Sequence, residues 1–268
     1  VFAPVEKAMA AGHLETALRA LRDIERDNML PQERAWELHE RMGQLLYWLA
    51  DRPAALPHLR LAWELPRENH SDRLAALSNY LMYLHYVDGI TDEMMRDAHA
   101  AYAQMLGTLP QFSHASHHRD KLRIGYLSPN MTDHIVLNFA VQLFSAYDRA
   151  RFSVHLYDVG GQHSEVTDWV AGMADRYADL SNETTRAAAQ RIYADEIDIL
   201  CDLSGHTKDN CLAVLARKPA PVQITGLGYM GPTGLSAIDY VLGDRVLDAA
   251  EEAEMAAERT AGGSCRGA

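Results

Sequence analysis

Apolar positions along residues 4–106 recur at helical spacing, with almost no alternating strand signal. Residues 12–21 show the small-residue and leucine spacing of the second helix of a tetratricopeptide-like hairpin, where Ala17 lets a neighbouring helix approach. A similar pattern returns at residues 51–59, followed by Ala62, although Ala17 and Ala55 stand 38 residues apart instead of about 34. Residues 33–49, with Gly43 near the close-packing position, form the first half of that second hairpin. A third helical pair, 72–87 and 91–106, is richer in Tyr and Met. Its second member opens at Thr91 as N-cap, with Asp92 and Glu93 in the first turn. From Arg123 onward the period changes. Strands are predicted at 123–127, 153–157, 197–202, 222–225 and 240–242, and helices at 136–146, 165–174, 184–195 and 210–217. That alternation implies βαβ crossovers and one parallel sheet, whose strand ends face a common crevice.

The organisation read from this pattern is a helical, tetratricopeptide-like domain over 1–106 and a linker over 107–120. A Rossmann-like α/β lobe follows over 121–247, then a disordered or aberrant tail over 248–268. The linker carries His114, His117 and His118, which are read as a solvated face and not as a metal site. A net charge of −12, from 25 basic and 37 acidic residues, disfavours a non-specific grip on nucleic acid. No apolar run of about eighteen residues offers a membrane span, and the first residues lack the pattern of a signal peptide, so the cytoplasm is the expected compartment. Cys201, Cys211 and Cys265 match neither a disulfide framework nor a metal-binding spacing.

Three loops at predicted strand ends concentrate polar and glycine-rich chemistry: residues 128–134, 202–208 and 226–234. His134 and His206 are expected to reach one crevice edge, where a neutral imidazole can bind a sugar hydroxyl or take a proton. Gly226, Gly228 and Gly231 spell GxGxxG. That motif is expected to follow the fourth strand of the sheet and to continue as a loop, which argues against a dinucleotide site.

The segments LRIGYLSPNMTDH (122–134), ILCDLSGHTKDN (199–210), RKPAPVQITGLGY (217–229) and TGLSAIDY (233–240) resemble, in order and spacing, the tetratricopeptide-linked protein O-GlcNAc transferases, their bacterial relatives and the related protein glucosyltransferases. The run SNYLMYLHYVDGITDEMMRDAHAAY (78–102) is similar to the helical segment joining repeats to catalytic region there. The resemblance, over residues 71–244, implies the first half of a two-lobed GT-B type enzyme. Such an enzyme passes GlcNAc or glucose from a UDP-sugar to Ser or Thr with inversion, without metal or cofactor, while the helical arm guides the acceptor polypeptide. It places His99 at the family histidine of the joining helix, His134 at the histidine that contacts the donor sugar, and Leu227 and Gly228 where backbone lies against that sugar. His206, Thr207, Tyr229, Gly231 and Gly234 complete the implied substrate-binding set.

Three departures qualify this. Asn130 stands where members often carry Asp, and Asn takes no proton near neutral pH. Ile135 and Val136 replace a Pro-Thr pair, and GYMGPTG (228–234) replaces a GYPGTSG-like run. The second lobe, with its diphosphate-binding lysine, is expected beyond Asp244, so these 268 residues alone are expected to turn over weakly or not at all. Two other readings remain: a non-catalytic helical-repeat binding module, and a nicotinamide-dependent oxidoreductase resting on the glycine run.

Overall fold

The computed structural model describes residues 1–115 and 119–243 and separates into two units, Val1–Met105 and Leu106–Ala268. His117, His118, residues 244–247 and the 248–268 tail lie outside the described residues.

The first unit holds helices α1 (Ala3–Ala10), α2 (Leu14–Arg26), α3 (Ala35–Trp48), α4 (Arg52–Glu64) and α5 (His70–Leu84). Helix α6 (Asp92–Leu106) ends at the unit boundary. Helix α2 buries Ala17, Leu18, Leu21 and Ile24, one stripe at three- and four-residue spacing. Helix α4 starts cleanly because the Asp51 side chain accepts from Ala54 N–H at 3.3 Å, while Pro53 occupies a first-turn position that needs no N–H partner. Helices α3 and α4 cross closely at Gly43. A Cβ built there would lie 2.6 Å from Leu59 Cγ and 3.1 Å from the Leu59 backbone nitrogen.

The second unit runs β1 (Leu122–Ser128), α7 (Ile135–Ser145), β2 (Phe152–Asp158), α8 (Glu165–Ala171), β3 (Arg176–Asp179) and α9 (Thr185–Ala194). It continues through β4 (Ile199–Asp202), α10 (Leu212–Leu215), β5 (Val222–Gly226) and β6 (Tyr240–Leu242). All six strands are parallel, in the order β3-β2-β1-β4-β5-β6. This is the Rossmann-like order, and the direction of winding reverses between β1 and β4. Helix α7 presses Val136, Leu137, Ala140 and Phe144 onto a core that includes Tyr126, Val154, Leu156 and Leu203. At Gly125, in mid-β1, an added Cβ would meet Leu200, Ile197 and Tyr157 at 3.0 to 3.1 Å, so packing against the strand leaves no room for a side chain.

Three readings of the sequence change. Strand β3 was not expected: it is a four-residue edge strand with two half-buried positions, paired only to β2, and it carries little apolar signal. The glycine run at 226–231 therefore follows the fifth strand, not the fourth. The described part of the linker is folded onto the α/β unit and is not a solvated face. Phe112 N–H donates to the Arg217 carbonyl at 2.9 Å, its ring stacks on Tyr193 at 4.4 Å, and His114 Nε2–H donates to the Lys218 carbonyl at 2.8 Å.

The parallel β5–β6 connection, residues 227–239, contains no helix, yet Tyr229, Thr233, Leu235, Ala237 and Ile238 along it are buried. It is a packed crossover that serves as a loop.

A Gly43→Val substitution forces a branched side chain into the α3–α4 crossing. It is expected to lower the stability of the helical unit by about 2 kcal/mol, measured by urea denaturation.

Candidate functional site

In an open parallel sheet, ligands bind beyond the carboxyl ends of the strands where the winding reverses, here past β1 and β4. The register brings Ser128 opposite Asp158, Leu127 opposite Asp202, Asp202 opposite Thr225 and Gly226 opposite Leu242. The three loops singled out in the sequence therefore leave three adjacent strands, β1, β4 and β5, along one rim.

The rim is organised by a carboxylate. Asp202, with no exposed surface, ends β4 and accepts four hydrogen bonds. Its Oδ1 accepts from Ser204 N–H at 3.1 Å and Ser204 Oγ–H at 2.6 Å. Its Oδ2 accepts from Gly205 N–H and Thr225 Oγ1–H, both at 2.8 Å. The first three donors bend the chain sharply after β4, and the fourth ties that bend to β5. With both oxygens engaged inside the protein, Asp202 serves to build the site.

The bend delivers His206 inward. Its ring has no exposed surface, meets the edge of the Tyr229 ring at 5.2 Å, and its Nε2 lies 3.0 Å from the Thr233 carbonyl. A carbonyl only accepts, so Nε2 carries the proton. Thr207 closes the turn through Oγ1–H to the Ser204 carbonyl at 2.8 Å. His206 and Thr207 thus hold loops together, and a ring so enclosed has no face open to a sugar in this conformation.

The glycines interlock the same loops. A Cβ on Gly228 would lie 2.1 Å from the Leu203 carbonyl oxygen, and one on Gly205 (φ +51°) would lie 2.3 Å from Tyr229 Cβ. Between Gly226 and Gly228 stands Leu227 with φ +70°. Gly228 N–H donates to the Gly226 carbonyl at 3.0 Å, closing a γ-turn of the strained, left-handed kind. A leucine there costs on the order of 1–2 kcal/mol. Its side chain is 42% exposed, so the flanking backbone, not burial of the leucine, imposes the conformation. Gly231 is buried in the same crossover, and Gly234 (φ +73°) takes a left-handed turn that a side chain would resist.

His134, unlike His206, is exposed. It is the N-cap residue of α7, and its Nδ1 accepts from Val136 N–H at 3.2 Å. With Nδ1 so occupied, the neutral ring carries its proton on Nε2 and presents a donor to solvent. Asn130, on the same loop, is half-buried, and its N–H donates to Ser128 Oγ at 3.0 Å. Met131 from this loop and Leu203 from the next share one core, which couples the two loops mechanically.

His99 belongs to α6, in the other unit. It is buried, and its Nδ1–H donates to the Met95 carbonyl at 2.7 Å. Burial lowers its pKa to about 4, against the opposing effect of that hydrogen bond, so it is neutral at pH 7. The two described thiols are inert: burial pushes Cys201 up to about 12 and Cys211 well above the ordinary thiol range. A cleft of about 200 Å³ opens beside the rim over the ends of β2 and β3, lined by Val159, Ser181, Glu183, Thr185, Asn210 and Cys211 among others. None of the candidate catalytic or substrate-binding residues named from the sequence lines it.

Sequence reasoning missed Asp202 as the organiser, although the Asp-Leu-Ser-Gly run is a recognisable side-chain-to-backbone turn. It also missed the strain at Leu227, because leucine carries no signal for a left-handed conformation.

Asp202→Asn replaces one acceptor oxygen by a donor facing other donors. It is expected to cost the α/β unit on the order of 3 kcal/mol in denaturant unfolding, and Thr225→Val about 1 kcal/mol. For His99 the folded pKa lies below the unfolded value, so the unfolded chain takes up the proton first as pH falls. Its contribution is complete above pH 6.5 and is lost down to about pH 4, roughly 3 kcal/mol in all. A His99→Gln variant is expected to show a flatter stability–pH profile for the helical unit across that window. The residual slope includes His39, His58 and His85, each also held down by burial.

Comparison with known proteins places this rim in a family. A family model described as glycosyl transferase family 41 matches residues 101–262, more than half of the chain. The Arabidopsis thaliana protein named probable UDP-N-acetylglucosamine–peptide N-acetylglucosaminyltransferase SPINDLY is 30% identical over 185 residues, 66% of this chain and 20% of that protein. A Caenorhabditis elegans UDP-N-acetylglucosamine–peptide N-acetylglucosaminyltransferase is 30% identical over 151 residues, 54% of this chain and 13% of its own. The chain thus spans a fifth or less of the length of these curated relatives. A solved mutant of the Thermobaculum terrenum O-GlcNAc transferase superposes with a TM-score of 0.71 at 24% identity, covering 91% of this chain and 53% of that one, a likeness of fold. With the order and spacing of its rim segments and the family match in agreement, the chain belongs to glycosyl transferase family 41.

Proposed function

We propose that this chain contributes a helical segment and a Rossmann-like lobe to a protein O-glycosyltransferase that moves GlcNAc or glucose from a UDP-sugar to Ser or Thr hydroxyls. One observation carries the reading: at the switch point the chain presents an outward Nε2–H donor, His134, and a strained backbone turn at Leu227 and Gly228. A sugar is recognised through directional donors and close backbone approach, and both are built here on rigid supports. Family membership and the names of the relatives support the same chemistry.

In this scheme His134 donates to a donor-sugar hydroxyl, and the turn at Leu227 and Gly228 lies against the sugar face. His206, Thr207, Tyr229, Gly231 and Gly234 keep that face in shape. Inversion requires in-line attack of the acceptor hydroxyl on the anomeric carbon as the nucleoside diphosphate departs, so catalysis is positioning plus charge stabilisation. Asn130 orients the acceptor hydroxyl by hydrogen bonding and takes no proton. His99, neutral and buried, positions its own helix. The acceptor polypeptide follows the helical segment. The diphosphate grip is assigned to parts of the enzyme outside the stretch matched here, so these residues alone turn over little or nothing.

Saturation-transfer NMR on the 268-residue chain with UDP-GlcNAc and UDP-glucose tests this. Sugar protons are expected to receive more saturation than uridine protons, and His134→Ala should abolish the difference. Equal saturation in both variants, or quenching of tryptophan fluorescence by micromolar NAD, would overturn the reading, and rapid sugar transfer by the chain alone would overturn the placing of the diphosphate grip elsewhere.

A further inference from the structure

Away from the rim, three potential metal ligands converge inside the helical unit: Glu25 on α2, His39 on α3 and His58 on α4. One ligand atom from each lies within 4.8 Å of the others. The two imidazoles face each other through the same atom type, Nδ1 to Nδ1 at 2.9 Å, with ring planes tilted by 36° and centroids 5.1 Å apart. We propose that Glu25, His39 and His58 bind a divalent transition metal ion, zinc in the first instance, that ties α2, α3 and α4 together.

Chemistry and geometry agree on the class of ion. Two imidazole nitrogens and one carboxylate make a mixed N/O set suited to zinc, with a fourth, open position for water. Two nitrogens bound to one tetrahedral zinc stand about 3.3 Å apart, so the observed 2.9 Å needs only a small rotation of the rings. The scaffold is already rigid. His39 lies one turn before Gly43 on the same helix, and His58 adjoins Leu59, so the close α3–α4 crossing fixes the distance between the rings. Glu25 follows the buried Ile24 and extends from a well-packed face of α2. Both histidines are half-buried, and burial favours the neutral imidazole. Glu25 is the acidic group acting on both rings, and Arg22, one turn earlier on α2, opposes it at His58. The competing explanation is an N–H···N hydrogen bond between two neutral rings with no ion involved.

Calorimetric titration of the full chain with zinc, in excess magnesium to occupy weak carboxylate sites, separates the two. One saturable site per chain is expected. Affinity should fall on the order of 100-fold in His39→Ala and in His58→Ala, and about 10-fold in Glu25→Gln. Cobalt substituted for zinc should give the visible absorption of a four-coordinate ion, lost in the same variants. His114→Ala, on the other unit, should leave both signals unchanged. Glu25 is exposed, so Glu25→Gln keeps the test decisive even if a histidine variant unfolds. Absence of a saturable site, or unchanged affinity in Glu25→Gln and in the His39→Ala/His58→Ala double variant, would overturn the proposal.

Discussion

A carboxylate without solvent is tolerable only if protein donors replace the water it has lost, and Asp202 meets that condition with four of them. The rest of the rim follows from this. The bend after β4 starts at Asp202, the tie to β5 ends on it, and the left-handed Gly205 and enclosed His206 are placed by that bend. The strained turn at Leu227 sits over Leu203, the residue that follows Asp202 in the chain. Rossmann-like sheets supply a crevice by topology alone. Here that crevice is lined with backbone held in fixed, partly strained directions.

The fold class was legible because it rests on periodicity. Helical spacing up to residue 106, alternation after it, and short apolar runs at β1, β2, β4, β5 and β6 all reflect which faces are buried. Strand β3 escaped because an edge strand of four residues, two of them charged, needs little apolar surface to pair on one side. The linker was misread for a related reason. Phe112 and His114 are held by a stacked ring and by carbonyls of residues more than a hundred positions later, and no local pattern reports such contacts.

At the site itself, residue identity revealed chemistry but not exposure. His134 and His206 look equivalent in the sequence, each a histidine in a loop after a strand. One caps a helix from the surface, while the other is sealed beneath a crossover by Tyr229 and Thr233. In the helical unit the converse holds. His39 and His58 belong to no motif, and only the antiparallel pairing of two helices, set by a glycine, brings their nitrogens together.

The interleaving of the loops after β4 and β5 also constrains how this lobe can diverge. Gly205 fits only beneath the existing Tyr229, and Gly228 fits only beneath the existing turn of Leu203, so mutations in either loop will be epistatic with the other. Neither glycine can be replaced by itself without a clash against the other loop. Sequence change in this lobe is therefore channelled to positions that point outward from the interlocked frame, Leu227, Met230, His134 and Ile135. Diversification can then alter what the crevice meets while leaving unchanged how it is built.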